Sequence, residues 1–218
     1  MRKAALGDDH AEIAVSLNNL AECLRTMEHY AEAEPLYRAA LAINEKRFGV
    51  DHPATAATLN NLAALLSSLN QLPESETLHR RALAIREARL GLNHTDTAQS
   101  LGHLGNLLRS IGRYTEAEPL FRRALAIRKM QLGDQHPMTG ISLDNLANLF
   151  RDTERLTDAE PLYRQAFYIL RQGVGEDHPH TQKVRQRYWD VLQRMAQSSD
   201  RAMSNHARKM LKKEFGVD

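Results

Sequence analysis

Residues 132–137, Leu-Gly-Asp-Gln-His-Pro, return with small changes as Phe-Gly-Val-Asp-His-Pro at 48–53, Leu-Gly-Leu-Asn-His-Thr at 90–95 and Val-Gly-Glu-Asp-His-Pro at 174–179. Their histidines, His52, His94, His136 and His178, together with His10, are each 42 residues apart. The same spacing carries Leu17-Asn18-Asn19-Leu20-Ala21 onto 59–63 and 143–147. It also superposes AEAEPLYRAALAI (31–43), PESETLHRRALAI (73–85), TEAEPLFRRALAI (115–127) and TDAEPLYRQAFYI (157–169). Fixed-period self-similarity on this scale is the mark of a stacked repeat architecture.

Each copy reads as two helices. Helix A of the second copy is expected from about Pro53 to Leu69, with Leu59, Leu62, Leu66 and Leu69 forming one apolar stripe. A short turn such as Ile111-Gly112-Arg113 leads to helix B, from about Thr115 to Gln131 in the third copy. There Ala117, Leu120, Phe121, Ala124 and Ile127 make the buried stripe. Leu132-Gly133 closes that helix. Pro53 and Pro137 suit a first helical turn, and Pro35, Pro119 and Pro161 are expected near the first turn of helix B. A hairpin of this size cannot bury its apolar face by itself, but stacked copies can. The predicted fold is therefore all-α, a solenoid of antiparallel helix pairs.

Composition agrees. Of the 218 residues, 31 are Leu and 28 Ala, against 7 Ile and 6 Val, and aromatics make up only 6%. That balance favours helix and disfavours sheet. The single cysteine, Cys23, excludes an internal disulfide and is expected to be a packed, inert thiol in a reducing compartment. No apolar run approaches the length of a membrane span, and the N-terminus lacks the apolar core of a signal peptide. A soluble, cytoplasmic protein is expected. The net charge of +2 gives no strong pull toward nucleic acid, which makes it an improbable partner.

The motif TLNNLAALL (58–66) followed by YTEAEPLFRRALAIR (114–128) resembles tetratricopeptide repeats, specifically the 42-residue variety of kinesin light chains. The resemblance implies a right-handed superhelical solenoid. Small residues fall where helices A and B should cross: Ala21, Ala63, Gly105 and Ala147 on one side, Ala33, Ala117 and Ala159 on the other, with Ser75 in the second copy. The register predicts a preceding helix-B tail and turn over 1–10, repeats over 11–52, 53–94, 95–136 and 137–178, and a degenerate fifth repeat or cap over 179–218. In that cap Val184, Tyr188, Val191, Leu192 and Met195 form one stripe. A last basic helix over 200–215 turns Met203, Ala207, Met210 and Leu211 inward. Met1–Leu6 align with the end of a helix B, so the chain reads as a segment of a longer array or one lacking an N-terminal cap.

The sequence contains no phosphate-binding glycine loop or nucleophile–base arrangement, so neither catalysis nor a cofactor is expected. Stacked helices lie about 10 Å apart, too far for successive periodic histidines to share a metal at about 2 Å. The histidines are instead expected to cap helix A or pack in the turns. The helix-B arginines Arg80, Arg81, Arg122, Arg123 and Arg164 face nearby glutamates and read as a charge-paired outer face.

By the resemblance, the face of helix A away from helix B lines a concave groove. Asn19, Asn61 and Asn145 fall on it, with His103 in the third copy. One turn on lie Asn106 and Asn148, and another turn on Arg25, Arg109 and Arg151. Amides can pair with any peptide backbone, and guanidinium groups with carboxylates. Equally, the asparagine row can bond neighbouring repeats and simply maintain the array. Kinesin-light-chain grooves bind extended peptides with an aromatic residue among acidic ones, so the resemblance implies a non-catalytic scaffold for such a peptide. Two other readings stay open: a sensor arm of a larger signalling protein with its effector domain elsewhere, and self-association through the N-terminal repeat.

Overall fold

The computed structural model describes residues 11–217, so the readings made for residues 1–10, including His10, lie outside the described residues. Among the described residues the chain forms ten α-helices. They are α1 (Ala11–Thr26), α2 (Tyr30–Phe48), α3 (Pro53–Ser68), α4 (Leu72–Leu90), α5 (Thr95–Ser110), α6 (Tyr114–Leu132), α7 (Pro137–Asp152), α8 (Leu156–Val174), α9 (Pro179–Ala196) and α10 (Arg201–Phe215). They group into two compact units, one ending at Ile111 and the other beginning at Gly112.

In the first unit α1 pairs with α2 and α3 with α4, while α2 packs on α3 and α4 on α5. Contacts of α3 with α1 and α5 set the three helix-A segments side by side. Ala21 and Ala33 are fully buried where the first pair crosses, and with Tyr37, Leu62, Leu65 and Leu66 they form one apolar cluster. In the second pair Ser75 takes the place of the crossing alanine. It satisfies its hydroxyl on Ala63 O at 2.7 Å, so the departure costs no unpaired polar group.

The second unit repeats the scheme with α6 on α7, the α7–α8 pair, α8 on α9 and α9 on α10. Ala147 and Ala159 are fully buried at the α7–α8 crossing. The five expected apolar residues of α9 are all buried, as are Ala207, Met210 and Leu211 of α10; Met203 is half-buried.

The connections explain why the short motif recurs. Gly49, Gly91, Gly133 and Gly175 follow helix B with φ of 94, 95, 89 and 98° and ψ of 161–165°, a conformation essentially confined to glycine. Three residues later His52, His94, His136 and His178 each accept a hydrogen bond at Nδ1 from the backbone N–H two residues on, at 3.1–3.2 Å. The periodic histidines are thus helix N-caps, satisfying donors that the first turn leaves open. Thr55, Thr97 and Thr139 complete the loop by donating to the carbonyls of Gly49, Gly91 and Gly133 at 2.8–2.9 Å. Thr181, in α9, is buried without such a partner.

Two expectations are corrected. Helix B begins at Tyr30, Tyr114 and Leu156, one residue before the expected start, so Pro35, Pro119 and Pro161 stand at its sixth position, in the second turn and not the first. They are tolerated on the exposed side of the helix. Cys23 is exposed, not packed, because the helix presents Leu24 and not its neighbour toward the core.

Candidate functional site

Consecutive residues on a helix point about 100° apart, and this decides what each asparagine of the Leu-Asn-Asn-Leu motif does. The first of the pair turns toward the neighbouring repeat. Asn18 donates to Thr58 Oγ1 at 3.0 Å, and Asn60 to Ser100 Oγ at 2.8 Å. In the second unit Asp144 holds the same register and accepts from Arg187 at 2.5 Å. The second of the pair is turned away from this ladder. Asn19 is exposed and Asn61 and Asn145 are half-buried, and among the described residues none of the three amides makes a hydrogen bond.

A further set of ladder residues escaped the reading of the sequence. Asn44, Arg86 and Arg128, spaced by 42 at the end of helix B, are 4–5% exposed. Asn44 donates to Thr58 at 2.9 Å. Arg86 Nη1 reaches Asp96 O, Gln99 Oε1 and Ser100 Oγ at 2.8–3.0 Å. Arg128 Nη1 reaches Met138 O and Ser142 Oγ at 3.1 and 2.9 Å. Burial lowers the pKa of both guanidinium groups from the ordinary arginine value. A sequence signal for this existed: polar residues at 44, 86 and 128 recur in step with hydroxyls at 58, 100 and 142.

The remaining expected groove residues divide. Arg25 is half-buried and bonds Glu22 through Nε and Nη2 at 2.9 and 2.5 Å. Glu22 also accepts from Tyr37 at 2.7 Å. The Arg25 hydrogen bond holds the Glu22 carboxyl below its usual range, against the opposing pull of burial. Arg151 likewise bonds Asp152 at 2.8–3.0 Å. His103, Asn106 and Arg109 are half-buried on α5. Asn148 departs from the expectation. It is 3% exposed, donates to Asp144 O at 2.7 Å and accepts from Tyr163 at 2.9 Å. Its amide is consumed inside the α7–α8 pair, which withdraws it from the groove set.

In the first unit the helix-A positions converge on a hollow of about 200 Å³ lined by Ala64, Ser67, His79, His103, Asn106 and Ser110. His79, from α4, is 2% exposed, and its ring centroid lies 5.7 Å from that of His103. The opposite, helix-B surface is charge-paired as expected, through Glu76–Arg80, Glu118–Arg122 and Arg81–Glu45 at 2.7–2.8 Å. Exposed pairs of this kind contribute little to stability. Among the described residues no group of three metal-ligating side chains occurs, and no helix is long and apolar enough to cross a membrane.

Comparison with known proteins follows the same lines. The tetratricopeptide-repeat family model matches residues 1–46, 12–88, 55–130 and 96–172. No curated protein matches the chain. Among solved structures, one similar in fold is a kinesin light chain candidate from Podosopora anserina built of nearly identical TPR-like repeats. It shows 22% identity and a TM-score of 0.71, over 95% of this chain and 99% of that one. BtubC (BKLC) from P. vanneervenii superposes with a TM-score of 0.74 at 17% identity, over 95% of this chain and 83% of its own. MamA from Desulfovibrio magneticus RS-1 gives 0.59 at 14% identity, over 95% and 94%. The 42-residue helix pairs, their small-residue crossings and this match across most of the chain lead to one conclusion: the chain belongs to the tetratricopeptide-repeat family.

Proposed function

We propose that the chain is a non-catalytic protein-interaction scaffold that holds an extended, acidic peptide segment with an aromatic anchor against its helix-A faces. One observation carries this reading: the asparagine row is double, and the ladder between repeats uses only its first member. Asn18 and Asn60 bond the neighbouring helix, while the amides of Asn19, Asn61 and Asn145 bond nothing among the described residues. An amide offers donors and an acceptor together, which suits a peptide backbone whatever its side chains. Arg25, Arg109 and Arg151 lie two turns along and supply charge for acidic residues of the ligand. The pairs that Arg25 and Arg151 make with Glu22 and Asp152 are partly solvated, so a ligand carboxylate can exchange into them.

A displayed library of extended peptides, screened on the purified chain, tests the reading. Peptides selected by the wild type should bind at least about tenfold more weakly to an Asn61→Ala, Asn145→Ala double variant, the loss of roughly one or two hydrogen bonds. An Arg80→Ala, Arg122→Ala variant on the opposite face should bind as the wild type does. Equal losses from both variants would sink the proposal.

A further inference from the structure

The last helix pair, α9–α10, departs from the others along one stripe of its first helix. The positions that meet the partner helix are Ala56, Leu59 and Ala63 in α3, Ala98, Leu101 and Gly105 in α5, and Gly140, Leu143 and Ala147 in α7, all of them buried. At Gly140 the partner helix comes so close that an added methyl group would lie 3.2 Å from the side chains of Ile169 and Leu170. The corresponding residues of α9 are Gln182, Arg185 and Trp189, an amide, a guanidinium and an indole in place of two small residues and a leucine. The partner helix is also shorter. α10 has 15 residues, where each earlier helix B has 19, and it ends at Phe215. A hollow of about 340 Å³ is left where the earlier pairs close, lined by Gln182, Arg185, Gln186, Trp189, Phe215 and Val217. Small-molecule sites begin at about 300 Å³.

The walls of this hollow combine an aromatic surface with one cation. Trp189 and Phe215 meet edge to face, their ring centroids 4.9 Å apart at 78°, a favoured arrangement that holds both rings in place. The Arg185 guanidinium stands 5.9 Å from the Phe215 centroid, within reach of cation–π attraction. Its contact with Glu176 is 3.6 Å, too long for a hydrogen bond, and both side chains are about half exposed. The two glutamine amides are tied locally, Gln182 donating to Glu176 O at 2.7 Å and Gln186 to Asp190 Oδ1 at 2.9 Å. Arg185 is thus the group in the hollow with charge to offer, and it stands beside a surface on which a flat ring can lie. A guanidinium binds a carboxylate through two parallel charge-assisted hydrogen bonds.

We propose that this hollow is a binding site for an aromatic acid, its ring laid against Trp189 and Phe215 and its carboxylate on Arg185. The long, solvated Glu176 contact is weak and gives way to the shorter bonds of the ligand. The site uses none of the asparagines or arginines assigned to the peptide and stands whether or not they bind one. A free small acid and a polypeptide ending in an aromatic residue share the required chemistry.

Trp189 is the only tryptophan of the chain, so its indole cross-peak in a proton–nitrogen correlation spectrum reports on the hollow alone. Benzoate, titrated into the full chain, should move that peak saturably. Benzamide, the same shape without the charge, should bind about tenfold more weakly, and acetate, the charge without the ring, should leave the peak unmoved. Arg185→Gln should bring benzoate down to the level of benzamide, whereas Arg80→Gln on α4 should change nothing. Trp189→Ala, the residue of the first, second and fourth copies, should abolish the heat of benzoate binding with the helical circular dichroism unchanged. An acetylated dipeptide ending in phenylalanine, compared with its amide, assigns the source: its binding marks a polypeptide end and its exclusion a free acid, and both results support the site. Equal binding of benzamide and benzoate, a response to acetate, or no response to benzoate overturns the proposal.

Discussion

The second and fourth helix pairs are built on the same 42-residue plan and differ at one register where their two helices meet. In α7–α8, Asn148 and Tyr163 close on each other and are 3% and 0% exposed. In α3–α4 the corresponding Ala64 and His79 leave a hollow. The capping histidines are shared and the crossings differ by Ser75 in place of Ala159, so the contrast at this register lies with Ala64 and His79 against Asn148 and Tyr163. The lesson is that the repeat fixes the backbone, while individuality lies in a few positions that neither the cap nor the crossing requires.

The largest effect that separates the two pairs is acid sensitivity. His79 is held neutral down to about pH 3, whereas an unfolded chain takes up that proton below about pH 6.5. The stability it contributes is whole above pH 6.5 and is lost as pH falls toward 3, about 2 kcal/mol being gone by pH 5. Denaturant melts at pH 7 and pH 5 should show that loss in the wild type and not in His79→Phe, which restores the aromatic of the other copies. Identical pH dependence in the two proteins would break the comparison. A similar cost attends opening the closed pair. Asn148→Ala strands the Tyr163 hydroxyl in the core and should lower stability by about 2 kcal/mol, and Tyr163→Phe in the same background should recover part of it. Urea midpoints measure both. The smallest expectation concerns what the pairs share. His94→Ala and His136→Ala should each cost about 1 kcal/mol, and replacement by Asn should retain most of the cap. A marked inequality between the two sites in thermal melts would show that the loops are not equivalent.

Much of this was legible in the chain itself. The period located the helices: α3 runs Pro53–Ser68 where the stripe implied Pro53 to Leu69. The histidines read as either helix caps or turn residues, and the Nδ1 bonds to the backbone two residues on select the cap. The division of labour among the helix-A residues was legible only in outline. Which member of Asn60-Asn61 faces the neighbouring repeat depends on a rotation of about 100°, and that is set by how α3 and α5 pack, not by either helix alone. Arg86 and Arg128 look in sequence like solvated ends of helix B, and only the hydroxyls that meet them 14 residues on reveal their burial. Asn148 shares a register with half-buried Asn106, but Tyr163 beside it supplies a hydroxyl where Phe121 has none.

The loop between successive pairs has one more consequence. Gly91 must sit in a backbone region closed to other residues, His94 must fall three positions later to meet Asp96 N–H, and Thr97 six positions later to reach the Gly91 carbonyl. A one-residue insertion or deletion between them would break two of these bonds and turn the next helix by about 100°. Length changes that leave the loop intact come only in whole copies. The glycine–histidine–threonine clasp thus acts as a ruler for duplication, which is why the spacing stays at 42 from His52 to His178 while other helix positions differ between copies.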